Sequence, residues 1–275
     1  MAMVINTNMG AINASRILEG SQKDQSIAME RLTSGLRINK AADDAAGLAV
    51  ATGMTTQIRG TDQAIRNAND GMALIQTQDG AMEEVVNMLQ RMRELGVQSL
   101  NGTYNQENRN QMESEFDQLQ SEIKRVGQTT AFNEIKLFGS GKPNQVSLHV
   151  GWEKGGNNRI YVSTFNVSQI ATNLSARTIT SVTGASAAIA SIDATLSNIG
   201  TIRAKWGALQ NRLDYTVSNL ANVNENMNGA RSQIQDADFA RESAQLARSQ
   251  VLQQAGMAML GQANQQSQNV LSLLR

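Results

Sequence analysis

IDATLSNIGTIRAKWGALQNRLDYTVSNLANVNENMNGARSQI, residues 192–234, decides the architecture. Ile192, Ile199, Trp206, Leu213, Leu220, Met227 and Ile234 recur at every seventh position without a break. A seven-residue repeat keeps one seam of a helix turned toward a partner helix, which is the logic of a coiled coil. No proline falls within the stretch, so the spacing predicts one long helix.

Helical spacing continues on both sides. Ile58, Ile65, Ala68, Met72, Ile75, Met82, Val86 and Leu89 form a second stripe. Met112, Phe116, Leu119, Ile123 and Val126 form a third. At the N-terminus Val4, Ala11, Leu18 and Leu32 share one heptad position, Ala14 and Ala28 share the adjoining one, and Gln25 interrupts the seam. The last stretch offers Leu252, Ala255, Met259, Ala263, Val270 and Leu274. Only the middle changes period. NQVSLHVG (144–151) alternates Val146, Leu148 and Val150, and NRIYVSTFNV (158–167) puts Ile160 and Val162 on one face. The intervening WEKGGNN is turn-forming, so 144–167 is expected to be a β-hairpin. Segments 139–145 and 168–186 are rich in Gly, Ser, Thr and Asn and read as surface connections.

The expected fold class is therefore mainly α: a long antiparallel coiled-coil bundle with a small β-hairpin at its far tip. The N- and C-termini pair in their own helical domain, residues 1–43 plus 236–275, and residues 44–235 form the second domain. The terminal arms have narrow stripes that include polar residues, Ser21 and Gln25 in one, Gln262 and Gln266 in the other. Two such helices bury little area on their own, and short isolated helices are marginal in water. They are expected to gain burial by packing on copies of themselves.

Composition narrows the function. The 275 residues carry no formal net charge, which gives no basic surface for nucleic acid. Aromatics make up 4%, and there is one proline; apolar content comes instead from aliphatic residues and 13 methionines, a profile of packed helices. With no cysteine, thiolate chemistry and disulfides are excluded. No run approaches the roughly 20 apolar residues of a membrane span, and MAMVINTNMGAINASRILEG lacks the basic and apolar regions of a secretory signal. The single histidine, His149, lies in a predicted strand and supports neither a catalytic triad nor a two-histidine metal site. No enzyme activity, cofactor or metal is expected.

Two breaks interrupt the helices. RLTSGLRINKAADDAAGLAV (31–50) carries Gly35, Asp43, Asp44 and Gly47, and QIQDADFARE (233–242) carries Asp236 and Asp238. Adjacent carboxylates on a helix point in different directions, so helix capping is expected of them rather than paired acid–base work. In QRMRELGVQS (90–99), Arg91, Glu94 and Leu95 share one side, which would leave Leu95 an exposed apolar residue among charges.

These stretches carry a resemblance. RLTSGLRINKAADDAAGLAV, the block from QIQDADFARESAQLARSQ to the final LSLLR, QRMRELGVQSLNGT and IKRVGQTTAFNEIKLF resemble the conserved regions of bacterial flagellins, over roughly residues 1–138 and 186–275. The short 139–185 segment stands where flagellins vary, so the outermost variable domains look absent. The resemblance implies a secreted, extracellular subunit that polymerises with itself into the flagellar filament for motility. It implies that 1–43 and 236–275 line the filament's inner tube, with Val4, Ala11, Leu18, Leu252, Met259, Val270 and Leu274 in its packing. Residues 34–46, with Gly35, Asp43 and Asp44 and with Gly47 beyond, would be the spoke between domains, the two glycines letting the chain leave and re-enter helix. It further implies type III export, an export chaperone on the C-terminal arm, and contacts with the flagellar cap and hook–filament junction proteins. A junction adaptor shares related termini, but the unbroken match at 31–50 and 233–275 favours the polymer. Finally, the resemblance implies that Arg91, Leu95 and Glu115 contact the vertebrate flagellin-sensing Toll-like receptor and neighbouring subunits. Gly96 stands where alanine is commoner and is expected to loosen the helix by up to about 1 kcal/mol.

Overall fold

The computed structural model describes residues 7–138 and 145–272. Six helices dominate the described residues: α1 (Met9–Ser34), α2 (Ala45–Leu100), α3 (Gln106–Thr129), α4 (Val167–Ser175), α5 (Val182–Gln235) and α6 (Phe239–Ser272). Two antiparallel ribbons complete them. β1 (Ala131–Phe132) pairs with β2 (Ile135–Lys136), and β3 (Gln145–His149) pairs with β4 (Arg159–Ser163). The protein is mainly α, as the heptads predict. By its own contacts it divides into a terminal unit, residues 1–58 with 225–275, and a central unit, residues 59–224.

The helices start where short polar side chains can accept a free backbone N–H. Asn8 accepts from Ala11 at α1, and Asn105 accepts from Asn108 at α3. Asp44 accepts from Gly47 at α2, and Asp238 accepts from Ala240 and Arg241 at α6. Helix α1 ends at Gly35, the one glycine of positive φ among the described residues, at 72°. Its N–H reaches the Arg31 carbonyl at 2.9 Å, and a side chain there would be strained.

In the central unit α2 and α5 run antiparallel. As α2 falls from Gly96 to Arg93, Asp79 and Asp62, α5 rises through Ile189, Asp193, Arg203 and Asn224. The seam of α5 buries Ile192, Ile199, Trp206 and Leu213, and that of α2 buries Ala68, Ile75, Met82, Val85, Leu89 and Met92. Helix α3 adds Met112, Phe116 and Ile123. Gly96 serves this packing: a Cβ there would sit 3.0 Å from Ile189 Cγ1, so its consequence is a close helix approach rather than only the expected loosening.

The β3–β4 hairpin occupies the place in the sequence where alternation predicts it, but not the expected tip. It lies along α2. A Cβ on Gly71 would collide with Leu148 and one on Gly60 with Trp152, and Asn67 Nδ2 donates to the His149 carbonyl at 2.9 Å. Trp206 Nε1 donates to Ser163 O at 3.2 Å, and its ring meets Phe138 at 6.5 Å. The end of this unit is closed instead by the 101–105 turn and the 176–181 connection. There Ile179 is clamped, its carbonyl by Ser99 Oγ and its N–H by Glu113. Segment 168–186 is also not a mere connection. Helix α4 buries Val167, Ile170 and Leu174 at 3–4 spacing, a signal hidden among Ser, Thr and Asn.

Candidate functional site

The terminal unit is built on a second antiparallel pair, α1 with α6. Its register is fixed by named contacts. Asn8 Nδ2 donates to Ala263 O at 3.0 Å, Leu18 lies 3.4 Å from a Cβ built on Gly256, and Ser21 Oγ donates to Ser249 O at 3.0 Å. Arg31 Nη1 pairs with Glu242 at 3.0 Å. The buried and half-buried positions repeat by heptads in both helices. Ala11, Ala14, Leu18, Ser21, Gln25 and Ala28 face Glu242, Leu246, Ser249, Gln253, Gly256, Leu260 and Ala263. Small and polar groups fill most of this seam, with Leu18, Leu246 and Leu260 half-buried among them. Other large apolar side chains of the same helices stay in water: Met9, Ile12, Ile17 and Met29 on α1, and Phe239, Val251, Leu252, Met257 and Met259 on α6, are all exposed.

The expected inner-core residues separate accordingly. Ala11 and Leu18 lie in the α1–α6 seam. Leu252 and Met259 do not; they are 50% and 65% exposed. Hydrophobicity points to the largest apolar residues of the C-terminal stripe, whereas the contacts of α1 fall on Ser249, Gly256 and Ala263, where side chains are short, and on Glu242. Val270 belongs to α6 but its side chain is not described, and Val4 and Leu274 lie outside the described residues.

At the break between α1 and α2 the chain is pinned to the break between α5 and α6. Arg37 N donates to Gln235 O at 2.7 Å, Ala237 N donates to Gly35 O at 2.9 Å, and Leu36 bridges Asp236. Asp43 closes the turn, accepting from Lys40 N at 2.9 Å and Asn39 N at 3.0 Å. Those two N–H groups hold its carboxyl below the ordinary carboxylate value. Asp44 caps α2, so the two carboxylates do local backbone work, as their adjacency implies. Gly47 needs correction. It sits inside α2 with ordinary helical backbone, and what requires glycine is space: an added Cβ would lie 2.4 Å from Asp44 Oδ2 and 2.7 Å from Ile38 Cδ1.

On the central unit, Arg91 Nε pairs with Glu115 at 2.8 Å and its Nη1 with Glu94 at 3.0 Å. Arg91, Gln98, Tyr104 and Glu115 rim a shallow hollow of about 470 Å³ whose floor includes Leu95 and Met112. Leu95 is not the exposed residue expected; it is 2% accessible. It falls on the same face as Met92 and Ser99, three and four residues away, and that face turns into the core. The exposed chemistry of this hollow is thus the Arg91–Glu115 pair. Among the described residues no cluster of three His, Cys, Asp or Glu side chains is placed to hold a metal, and no helix is long and apolar enough to cross a membrane.

Comparison with known proteins bears directly on these two helical regions. The family model for the bacterial flagellin N-terminal helical region matches residues 5–142, and that for the C-terminal helical region matches residues 189–274. The chain belongs to the bacterial flagellin family. It is 47% identical to a flagellin of Halalkalibacterium halodurans, with 99% of this chain and 100% of that protein covered. It is 39% identical to the flagellar filament 33 kDa core protein of Treponema phagedenis, again over 99% and 100%. Among solved structures it resembles Bacillus cereus flagellin at a TM-score of 0.50 and 25% identity, covering 56% of this chain and 88% of that one. A putative flagellar hook-associated protein from Vibrio parahaemolyticus shares the fold at a TM-score of 0.61 but 15% identity, over 70% and 100%. As a flagellin, the chain is a structural subunit of the extracellular flagellar filament.

Proposed function

We propose that the outward apolar faces of α1 and α6 are the surfaces through which copies of this chain assemble. In this reading residues 1–43 and 236–275 form the inner tube of the filament, and residues 44–235 form the domain outside it. One observation carries the reading: the α1–α6 pair fills most of its own seam with small and polar side chains and leaves Met9, Ile12, Ile17, Met29, Phe239, Val251, Leu252, Met257 and Met259 in water. Burying one such side chain is worth about 1.5–3 kcal/mol, and most of a helix's stability in a protein comes from packing of its apolar face. Asymmetric contacts that do not close generate an open helix of subunits, and two near-equivalent packings of such contacts would let the filament curl. The chain is not an enzyme in this account, and it takes no cofactor. Electron microscopy under polymerising conditions tests it. The full chain forms filaments, and a chain lacking 1–43 and 236–275 does not; absence of filaments from the seeded full chain overturns the reading and favours a junction adaptor.

The free subunit has a second role in this reading, recognition by the flagellin-sensing Toll-like receptor through the hollow at Arg91, Leu95 and Glu115. Exposure of the Arg91–Glu115 pair supports it, with Leu95 acting as the support beneath rather than as a contact. Arg91→Ala is expected to lower receptor signalling by about tenfold, as loss of a central interfacial arginine does, with the unfolding curve nearly unchanged. Equal signalling would remove the hollow from the interface. The family's other partners fit the same life history: type III export with a chaperone on α6, then contact with cap and hook–filament junction proteins.

A further inference from the structure

Among the described residues the most exposed methionines lie in the terminal unit, where Met54 and Met227 are half-buried. In the central unit Met82, Met92 and Met112 are buried, and Met72 and Met88 pack against the core. In the terminal unit Met9, Met29, Met257 and Met259 stand between 53% and 65% exposed. They share the outward faces of α1 and α6 with Ile12, Ile17, Val251 and Leu252. A thioether is the one apolar side chain that a mild two-electron oxidant converts into a polar one. We infer that these four methionines are an oxidant-sensitive modification site that governs assembly, an inference that rests on the assembly surface proposed above.

The chemistry is self-contained. Hydrogen peroxide transfers one oxygen to the thioether sulfur; the O–O bond breaks, a sulfur–oxygen bond forms, sulfur loses two electrons, and water leaves. The product carries a strong hydrogen-bond acceptor where the assembled state offers apolar neighbours, and burying such a group without a donor is unfavourable. Access sets the order: the exposed four react in the free subunit, while the core methionines are shielded by packing. Assembly would shield the four as well, so sensitivity belongs to the subunit and not to the filament.

The test treats free subunits with graded hydrogen peroxide, maps sulfoxides by peptide mass spectrometry, and measures seeded assembly by sedimentation. The expected result is oxidation of Met9, Met29, Met257 and Met259 before Met82, Met92 and Met112. The critical concentration should rise by about tenfold or more, with recovery after methionine sulfoxide reductase treatment. A variant carrying Met→Leu at the four positions should assemble and keep assembling after the same treatment. The inference is overturned if the four are fully oxidised and assembly is unchanged, or if the four-leucine variant loses assembly as the parent does. Failure of the untreated chain to assemble would instead overturn the assembly surface itself, and this inference with it.

Discussion

The two helix pairs of this chain obey the same seven-residue rule and use it in opposite ways. In the central unit, α2, α3 and α5 turn Ile, Leu, Met, Phe and Trp inward, and these side chains are almost wholly removed from water. In the terminal unit, α1 and α6 turn mainly Ala, Ser, Gln and Gly toward each other, with Leu18, Leu246 and Leu260 among them, and leave most of their large apolar residues exposed. The first arrangement is complete within one chain. The second holds a register through polar contacts such as Ser21–Ser249 and Arg31–Glu242, but it forgoes most of the apolar burial its own residues could supply. The difference teaches that a heptad specifies direction, while side-chain size at the seam sets how much apolar burial a helix pair obtains from itself.

This contrast can be broken at several points. The largest effect is expected from Phe116→Ala, which empties a fully buried ring site of the central unit. It should cost about 3–5 kcal/mol in chemical denaturation; a loss below 1 kcal/mol would mean that the core is not the closed one described. Gln78 is the flaw in that core. It is fully buried on α2, and neither its Nε2 nor its Oε1 reaches a hydrogen-bond partner among the described residues. Gln78→Leu should stabilise the unit by about 1–3 kcal/mol, and a destabilised variant would show that the amide is satisfied.

Smaller effects belong to the caps and clamps. Asp44→Ala should cost about 1 kcal/mol through loss of the α2 cap, while Asp44→Asn, which keeps an acceptor, should cost much less; equal losses would count against capping. Asp43 contributes through a lowered pKa, so its stabilisation is present above the ordinary value of 3.8 and is lost as the pH falls below it. Unfolding curves of Asp43→Ala and the parent should therefore converge in acid. Glu113 has the opposite sign. Burial raises it above 4.5 against the opposing Ile179 N–H, so the charged form is penalised once the pH passes the raised value. Glu113→Gln should unfold at the same or a higher temperature at pH 7, with the difference gone below pH 4.5.

The central helices were legible because one period ran unbroken, yet period alone did not reveal how many walls surround it. Ile192, Ile199, Trp206 and Leu213 are buried, Trp206 against Phe138 and Ser163 of the hairpin, whereas Leu220, Met227 and Ile234 in the same repeat are only half-buried. Leu220 borders an open cleft beside Trp152 and Tyr215. The C-terminal seam is hidden from a reading of hydrophobicity because residue size marks it. Ala14, Ser21 and Ala28 on α1, and Ser249, Gly256 and Ala263 on α6, are both heptads of small residues, and these mark the close approach. Leu95 is hard to read for a related reason: Arg91, one turn away, stays exposed on the rim of the hollow while Leu95 sits at the edge of the buried face with Met92 and Ser99. The hairpin's strands were readable from alternation. Its seat was not, because that depends on Gly60 and Gly71 making room for Trp152 and Leu148, a match between distant positions.

The outward faces of the terminal pair are the centre of this account, and Leu252→Ser with Met259→Ser tests them most directly. Both side chains are at least half exposed and outside the α1–α6 seam. Circular dichroism and denaturation of the subunit should match the parent within about 0.5 kcal/mol, while sedimentation should find no filaments at concentrations where the parent assembles. Filaments forming at the parent's critical concentration would contradict the claim that these faces hold the polymer together.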